Sequence, residues 1–218
     1  MQGLDFSVVA DARPFLLQGM GLSLTLTLLA IAGGMVLGTL LALARLSGRA
    51  PLALAAAGYV NLVRSVPLIL VIFWFYFLVP LAIGRPVGGF YSALIAFVIF
   101  EAAYYGEIIR AGIQSVPRGQ VQAGLASGLR YWQIQRLVVL PQALHNMLPV
   151  LVTQGIVLFQ DTSLVFVVSL HDFMTSSVII AQNKGRLVEM YLFAAGVYFA
   201  ICFAGSLLVK RLARRAAA

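Results

Sequence analysis

Charged residues are scarce in this sequence of 218 residues, in which only 10% are Asp, Glu, Lys or Arg while 61% are hydrophobic. A water-soluble globule of this length needs more ionic groups to cover its surface, so the composition excludes that class. Several apolar runs reach the ~20 residues that a membrane-spanning helix requires. We therefore expect an all-α integral membrane protein.

Cysteine and histidine are scarcer still. The single cysteine, Cys202, excludes a disulfide framework and a cysteine-rich metal site. His145 and His171 are isolated, and the sequence has neither an HExxH nor a GxSxG motif. It also has no GxxxxGK[ST] phosphate loop, so the chain cannot hydrolyse ATP alone. We expect no catalytic residue, no metal site and no cofactor in this chain. An intramembrane enzyme would need a nucleophile and a base, and the sequence offers no recognisable pair.

Five apolar runs indicate one transmembrane domain over residues 1–218. The first run follows Asp5, Asp11 and Arg13 rather than a basic segment, so a cleaved signal peptide is not expected. The predicted spans are Gln18 to Leu43, Ala53 to Leu81, Phe90 to Ile113, Pro141 to Val165 and Met190 to Val209.

The distribution of basic residues predicts the orientation of these spans. The net charge is +8, but the Lys and Arg residues flank apolar runs, which fits lipid headgroups and topology rather than nucleic acid. One side of the membrane has Arg45, Arg49, Arg110, Arg118, Arg130, Arg136, Lys210, Arg211, Arg214 and Arg215. The other side has only Arg13, Arg85, Lys184 and Arg186. We expect the N-terminus outside and the C-terminus in the cytoplasm.

Small residues line one face of the first span. They are Ala30, Gly33, Gly34, Gly38 and Ala42. Such a smooth face lets two helices approach closely, and helix packing explains it better than a dedicated dimer motif.

A polar segment lies between the fourth and fifth spans on the outer side. Residues 169–188 mix polar side chains with apolar ones. We expect an amphipathic segment that lies along the outer interface.

The largest inner polar segment, residues 114–141, connects the third and fourth spans. Ser115 offers a capping hydroxyl and Pro117 suits a first helical turn, so a helix of about eleven residues should begin there and stop near Gly128. Its side chains include the small Ala123 and Gly124, which we expect to be exposed. The segment is either a docking helix for a partner protein or an ordinary polar connector.

The spacing in this segment resembles the EAA loop of ABC importer permeases, which reads Glu-Ala-Ala, x3, Gly, x9, Ile-x-Leu-Pro. Here Gln122-Ala123-Gly124 is followed after three residues by Gly128 and after nine more by Val138-Val139-Leu140-Pro141. Gln122, Gly124 and Val138 depart from the pattern. The literal triplet Glu101 to Ala103 lies in an apolar span without the rest of the motif. The resemblance implies that Gln122, Ala123, Gly124, Gly128, Leu140 and Pro141 couple the chain to an ATPase.

The resemblance extends over most of the chain, from about Leu22 to Arg211. The matching stretches are Arg64 to Leu68, Glu107 to Arg110, Ser115 to Gln120, Leu140 to Ala143 and Asp161 to Leu164. They resemble polar amino-acid permeases, and residues 100–115 and 153–165 are most similar to glutamate/aspartate permease subunits. The resemblance implies a type I importer permease with a MetI-like core, in the bacterial cytoplasmic (inner) membrane.

The partners that the resemblance implies are a paralogous or identical second permease subunit, two cytoplasmic ABC ATPase subunits that bind the ATP, and an extracytoplasmic substrate-binding protein. An ion-coupled secondary transporter or channel is the alternative. It usually has more spans or paired inverted halves, and neither is visible here.

Four charged residues, Arg64, Glu101, Glu107 and Asp161, fall within or near the apolar spans, where each needs a partner or a cavity. Glu107 and Arg110 are three residues apart on one helical face and are expected to form a structural ion pair. Glu101 is deeper, with Tyr104 and Tyr105 within one turn. It is either a carboxyl that accepts a hydrogen bond from one of them or a ligand for the cargo.

Arg64 stands where the second span should break, because Pro67 removes a helical hydrogen bond. A fixed guanidinium beside Ser65 and freed backbone groups can bind a carboxylate. Alternatively, Arg64 satisfies the broken helix or a neighbouring acid.

Asp161 interrupts an apolar stretch, with Gln154 seven residues earlier on the same helical face and Thr162 and Ser163 beside it. Such a polar stripe can bind an ammonium group through Asp161 and read a neutral group through Gln154. Alternatively, Asp161 caps a helix. Phe77 is a minor pocket candidate in an aromatic run that otherwise suits the membrane interface.

One arginine and one aspartate fit a dicarboxylic amino acid better than a basic one, although Glu101 could supply a second acid.

Overall fold

The computed structural model describes the backbone of residues 4–216 and the side chains of residues 4–213. This part of the chain is helical and contains no strand. In chain order the helices are α1 (Ser7–Asp11), α2 (Arg13–Leu46), α3 (Ala50–Arg64), α4 (Leu68–Ile83), α5 (Gly89–Gln114), α6 (Arg118–Ala126), α7 (Tyr131–Val168), α8 (Phe173–Lys184) and α9 (Leu187–Ala216). The predicted all-α class is confirmed.

Among the described residues, the four helices α2, α5, α7 and α9 are long and apolar enough to cross a membrane, and α3 with α4 makes a fifth if this bent pair is one span. The axes of α3 and α4 meet at 103°, so the second predicted span is broken. The break lies between Ser65 and Pro67, as the sequence predicts. Proline lacks the amide hydrogen that would continue the helix, and its ring disfavours helical geometry at Val66.

The fourth predicted span, Pro141 to Val165, lies within a longer helix that is continuous from Tyr131. A π-helical turn at Gln135–Val139 precedes the α-helical segment Leu140–Asp161, whose first turn contains Pro141. The wider turn accommodates a proline that has no amide hydrogen to donate. The second half of the predicted loop is therefore part of α7.

The packing of α2 against α5 confirms the predicted smooth face. A Cβ atom added to Gly34 would lie 2.8 Å from the Cβ of Glu101, and one added to Gly38 would lie 2.8 Å from the backbone nitrogen of Gly106. Ala30 is fully buried beside them. The two backbones are thus too close for larger side chains. Helix α5 also packs against α3, α4 and α7, so it lies at the centre of the described bundle.

The predicted ion pair between Glu107 and Arg110 is present, and Arg45 at the end of α2 joins it. The second cation comes from a residue 62 positions away, which local helical spacing could not reveal. Together the three side chains fix the ends of α2 and α5 to each other.

Helix α8 differs from the predicted interfacial segment. Its residues Phe173, Ser177, Ile180 and Ala181 are buried, and the helix packs between α2 and α9. Asp172 caps it by accepting hydrogen bonds from the backbone nitrogens of Met174 (2.9 Å) and Thr175 (3.1 Å). Burial raises the pKa of the Asp172 carboxyl, and these hydrogen bonds oppose that effect.

Candidate functional site

The first candidate region is the connector, residues 114–141, whose helix α6 has nine residues. Proline at position 117 is the residue before its first turn, and Gly128 ends it with a φ of +77°, a conformation that favours glycine. Gln122 and Ala123 are exposed, as is Gly128. The structure thus has a short helix with an exposed face of small residues in the predicted place.

Gly124 does not belong to that exposed face. It is buried, and a Cβ added there would lie 2.9 Å from Cγ1 of Ile134. The expectation that its side is exposed is wrong, because this side of α6 packs onto the first turn of α7. Gly124, one of the predicted coupling residues, is therefore a packing contact between α6 and α7.

Ser115 does not cap α6 either, because α6 has no side-chain cap. The Ser115 hydroxyl donates to the carbonyl of Gly112 (2.8 Å) and accepts from Nδ2 of Asn146 (2.9 Å). It fastens the end of α5 to α7 instead. Leu140 and Pro141 are exposed, but they lie in α7 and not in the loop.

Large exposed side chains near α6 were missed by the sequence analysis. Trp132 is 74% exposed, and Tyr131 and Leu125 are also exposed. Two consecutive aromatic residues in a polar segment were the available signal. They widen the connector's exposed surface beyond its small residues.

The second candidate region is the intramembrane polar cluster, which we define as Arg64, Glu101, Tyr104, Gln154 and Asp161. Glu101 is fully buried, and both of its carboxyl oxygens accept from Nε2 of Gln154 at 3.2 Å. The hydrogen-bond donor to Glu101 is thus Gln154 on α7. The sequence-based expectation that a neighbouring tyrosine donates this bond is wrong. The hydroxyl of Tyr105 is buried without a hydrogen-bond partner in the described part of the chain.

Asp161 lies near enough to Glu101 for the two carboxyl groups to interact electrostatically. It is partly exposed and makes no side-chain cap at the start of the terminal 3-10 turn of α7, so the capping alternative is not what the structure shows. Thr162 is buried and donates to the carbonyl of Phe159 (2.7 Å), whereas Ser163 is partly exposed.

Arg64 lies at the end of α3 with its guanidinium carbon 5.1 Å from the centre of the Tyr104 ring. The side chain is exposed and forms no ion pair with the described residues. The Ser65 hydroxyl is used locally, because it donates to the carbonyl of Asn61 (2.7 Å). A cation–π contact holds a guanidinium in place without neutralising its charge.

One turn of α5 links the two halves of the cluster, because Tyr104 follows Glu101 by three residues and shares its helical face. Phe77 is not drawn into it. Its ring is 55% exposed and contacts Phe73 and Tyr76.

The cluster offers a partly exposed carboxyl and an exposed guanidinium, with a hydrogen-bonded amide behind them. A carboxyl and a guanidinium are the two charged groups that a zwitterion requires of a binding site. The described residues contain no group of three His, Cys, Asp or Glu side chains that could hold a metal ion.

The family model described as "Binding-protein-dependent transport system inner membrane component" matches residues 34–218. The chain is 49% identical to the glutamate/aspartate import permease protein GltK of Escherichia coli O6:H1, with all of both chains covered. It is 30% identical to the arginine transport system permease protein ArtQ of Bacillus subtilis, with 97% of each chain covered. Among solved structures, it resembles an amino acid ABC transporter with histidines, at a TM-score of 0.90 and 31% identity over 98% of this chain and 100% of that one.

Proposed function

Because the chain belongs to the family of binding-protein-dependent transport system inner membrane components, we propose that its cargo is glutamate or aspartate. The chain is a permease subunit of an amino-acid ABC importer and a multi-pass inner-membrane protein. Its relatives are transport components and not enzymes. The expected family, fold and transport role are therefore confirmed, and nothing supports the ion-coupled alternative.

The observation that carries the choice of cargo is the 49% identity to the glutamate/aspartate import permease over the full length of both chains. The charges of the cluster also support this choice of cargo. A dicarboxylic amino acid has two carboxylates and one ammonium, and Arg64 has no acidic partner among residues 4–213. A free guanidinium is well shaped to take a carboxylate through two parallel hydrogen bonds.

The other groups of the site take complementary roles in this proposal. Asp161 pairs with the ammonium, and the partly exposed Ser163 offers a hydroxyl to the path. The hydroxyls of Ser65 and Thr162 already donate to backbone carbonyls, so these two residues shape the helix ends beside the path. Gln154 remains with Glu101, so it acts on the cargo through that carboxyl and not directly, and Phe77 contributes at most an aromatic wall.

The proposal extends to the partners and to the orientation. A second permease subunit, identical or paralogous, completes the path, and two cytoplasmic ATPases bind the ATP and dock on Gln122 and Ala123 of the connector. An extracytoplasmic binding protein delivers the cargo. The N-terminus faces outward. Of the basic residues that support this orientation, Arg214 and Arg215 lie outside the described side chains.

A basic amino acid is the second candidate cargo. The interaction between Glu101 and Asp161 places two acids near each other, which suits a cargo with two positive charges. The full-length identity to a glutamate/aspartate permease favours the acidic cargo, but the two acids make arginine and lysine necessary competitors in any test.

Uptake of radiolabelled glutamate by proteoliposomes that contain the assembled importer tests the proposal. We expect uptake that requires ATP and the binding protein, and that unlabelled aspartate suppresses more strongly than arginine or glutamine. Stronger suppression by arginine would replace the acidic cargo by a basic one. Uptake by this chain without an ATPase would contradict the proposed energy source.

A further inference from the structure

A cavity of about 440 Å³ lies between α2, α5, α7 and α9, apart from the proposed cargo groups. None of the residues that line it carries a charge. Leu24, Leu148 and Ile201 at its edge are also exposed at the outer surface of the bundle, so the cavity opens sideways from the described helices.

Tyr105 contributes a polar hydroxyl group to this apolar wall. It is 1% exposed, and its hydroxyl has no hydrogen-bond partner among the described residues. The other polar side chains of the wall are occupied, because Thr27 donates to the carbonyl of Ser23 (2.8 Å) and Cys202 accepts from Gln160 (3.4 Å). A buried hydroxyl without a partner is unfavourable, so the cavity holds one unused hydrogen-bonding group.

Gly155 keeps the space in front of that hydroxyl open. A Cβ added to Gly155 would lie 3.9 Å from the Tyr105 oxygen and 3.4 Å from Cδ1 of Ile31. Any larger side chain there would enter the cavity beside the hydroxyl.

The depth of Tyr105 in the membrane restricts the chemical class of ligand that the cavity can bind. Helix α5 has 26 residues and is therefore about 39 Å long, longer than the ~30 Å hydrocarbon layer, so both of its ends reach the interfaces. Tyr105 is about 14 Å from the end at Gln114, within the hydrocarbon. A phospholipid headgroup stays at the interface, and a charged group is excluded because the wall offers it no counter-charge.

We propose that this cavity binds an uncharged apolar molecule with a single oxygen function, of the long-chain alcohol type, which hydrogen-bonds to Tyr105. The apolar wall takes the hydrocarbon chain, and the Tyr105 hydroxyl takes the alcohol oxygen. Arg64, Asp161 and Gln154 do not line this cavity, so the proposal does not rest on the choice of cargo.

Photolabelling of the assembled importer in phosphatidylcholine nanodiscs, with a diazirine derivative of 1-dodecanol, tests this site. Unlabelled 1-dodecanol and dodecane compete at equal mole fractions in the bilayer. We expect labelling of α7 and α9 near Gly155 and Cys202. The alcohol should compete about fivefold better than the alkane, the preference that one hydrogen bond confers.

Three variants separate the hydroxyl from the cavity. Tyr105→Phe should abolish the alcohol's advantage while dodecane competes as before, which also shows that the variant has folded. Gly155→Leu should reduce labelling itself by filling the space. Tyr198→Phe, which removes the hydroxyl of a tyrosine outside the cavity wall, should behave like the unaltered chain. Equal competition by alcohol and alkane in the unaltered importer, or an alcohol preference that survives Tyr105→Phe, would overturn the proposal.

Discussion

The connector and the intramembrane polar cluster bring their residues together in different ways. The small-residue face of the connector comes from one short helix, so Gln122 and Ala123 are neighbours in sequence and in space. The cluster takes Arg64 from α3, Glu101 and Tyr104 from α5, and Gln154 from α7. A surface that meets another protein can be encoded locally, whereas a site inside the bilayer depends on how several helices pack.

This difference predicts that the two regions fail in different ways. A change in the connector should uncouple the chain from its ATPase without altering the cargo groups. A change in the cluster should impair cargo binding while the ATPase still docks. Variants measured for both properties therefore test the assignment of each region.

The largest effect is expected from Ala123→Trp on the exposed face of α6. A bulky side chain at the centre of a docking surface should cost ~2 kcal/mol or more of association, about thirtyfold in affinity. ATP-driven uptake should fall accordingly, and the ATPase should no longer co-purify with the chain. Binding of the ATPase at full strength to this variant would remove the docking role from α6.

The second largest effect is expected from Asp161→Asn in the cluster. Loss of the carboxylate removes a charge-assisted contact to the cargo ammonium, worth ~1.5–3 kcal/mol, so uptake at low glutamate concentration should fall about tenfold or more. Pull-down of the ATPase should be unchanged. If uptake persists and the ATPase is lost, the roles of the two regions are reversed.

A smaller effect is expected from Arg64→Ala, compared with Arg64→Lys. Because Arg64 is exposed beside Tyr104, its contact with a cargo carboxylate is partly screened, and the KM for glutamate should rise about fivefold in the alanine variant. Lysine keeps the charge but not the two-pronged geometry, so it should restore only part of the loss. An unchanged KM in both variants would exclude Arg64 from the cargo site.

The main lines of the fold could be predicted from the sequence, because apolar length, Pro67 and the small face of α2 act locally or through a regular helical period. The helical segment before Pro141 was not predicted, because a proline favours a helix boundary, whereas a π-helical turn accommodates this proline. The packed position of α8 was missed because its buried serines look like a solvated segment until α2 and α9 surround them.

The cluster was only partly predictable. Asp161 and Arg64 could be found as charges in apolar surroundings, but the hydrogen bond between Gln154 and Glu101 joins residues 53 positions apart. Arg45, which completes the ion pair with Glu107, was missed for the same reason. Contacts of this kind follow from the packing of whole helices, which no short motif encodes.

The smallest effect is expected from Gly124→Ala, which restores the alanine of the family motif in the connector. Alanine favours a helix over glycine by up to ~1 kcal/mol, but its Cβ would lie 2.9 Å from Cγ1 of Ile134, a buried β-branched side chain that moves little. The matched variant Gly119→Ala is in the same helix and meets no atom within 4 Å. Gly119→Ala should therefore raise the thermal unfolding midpoint by a few degrees, and Gly124→Ala should leave it unchanged or lower it. ATPase docking should survive both changes, because Gly124 faces Ile134 and not the exposed surface. If Gly124→Ala alone lost ATPase docking at an unchanged unfolding midpoint, Gly124 would belong to the docking surface after all.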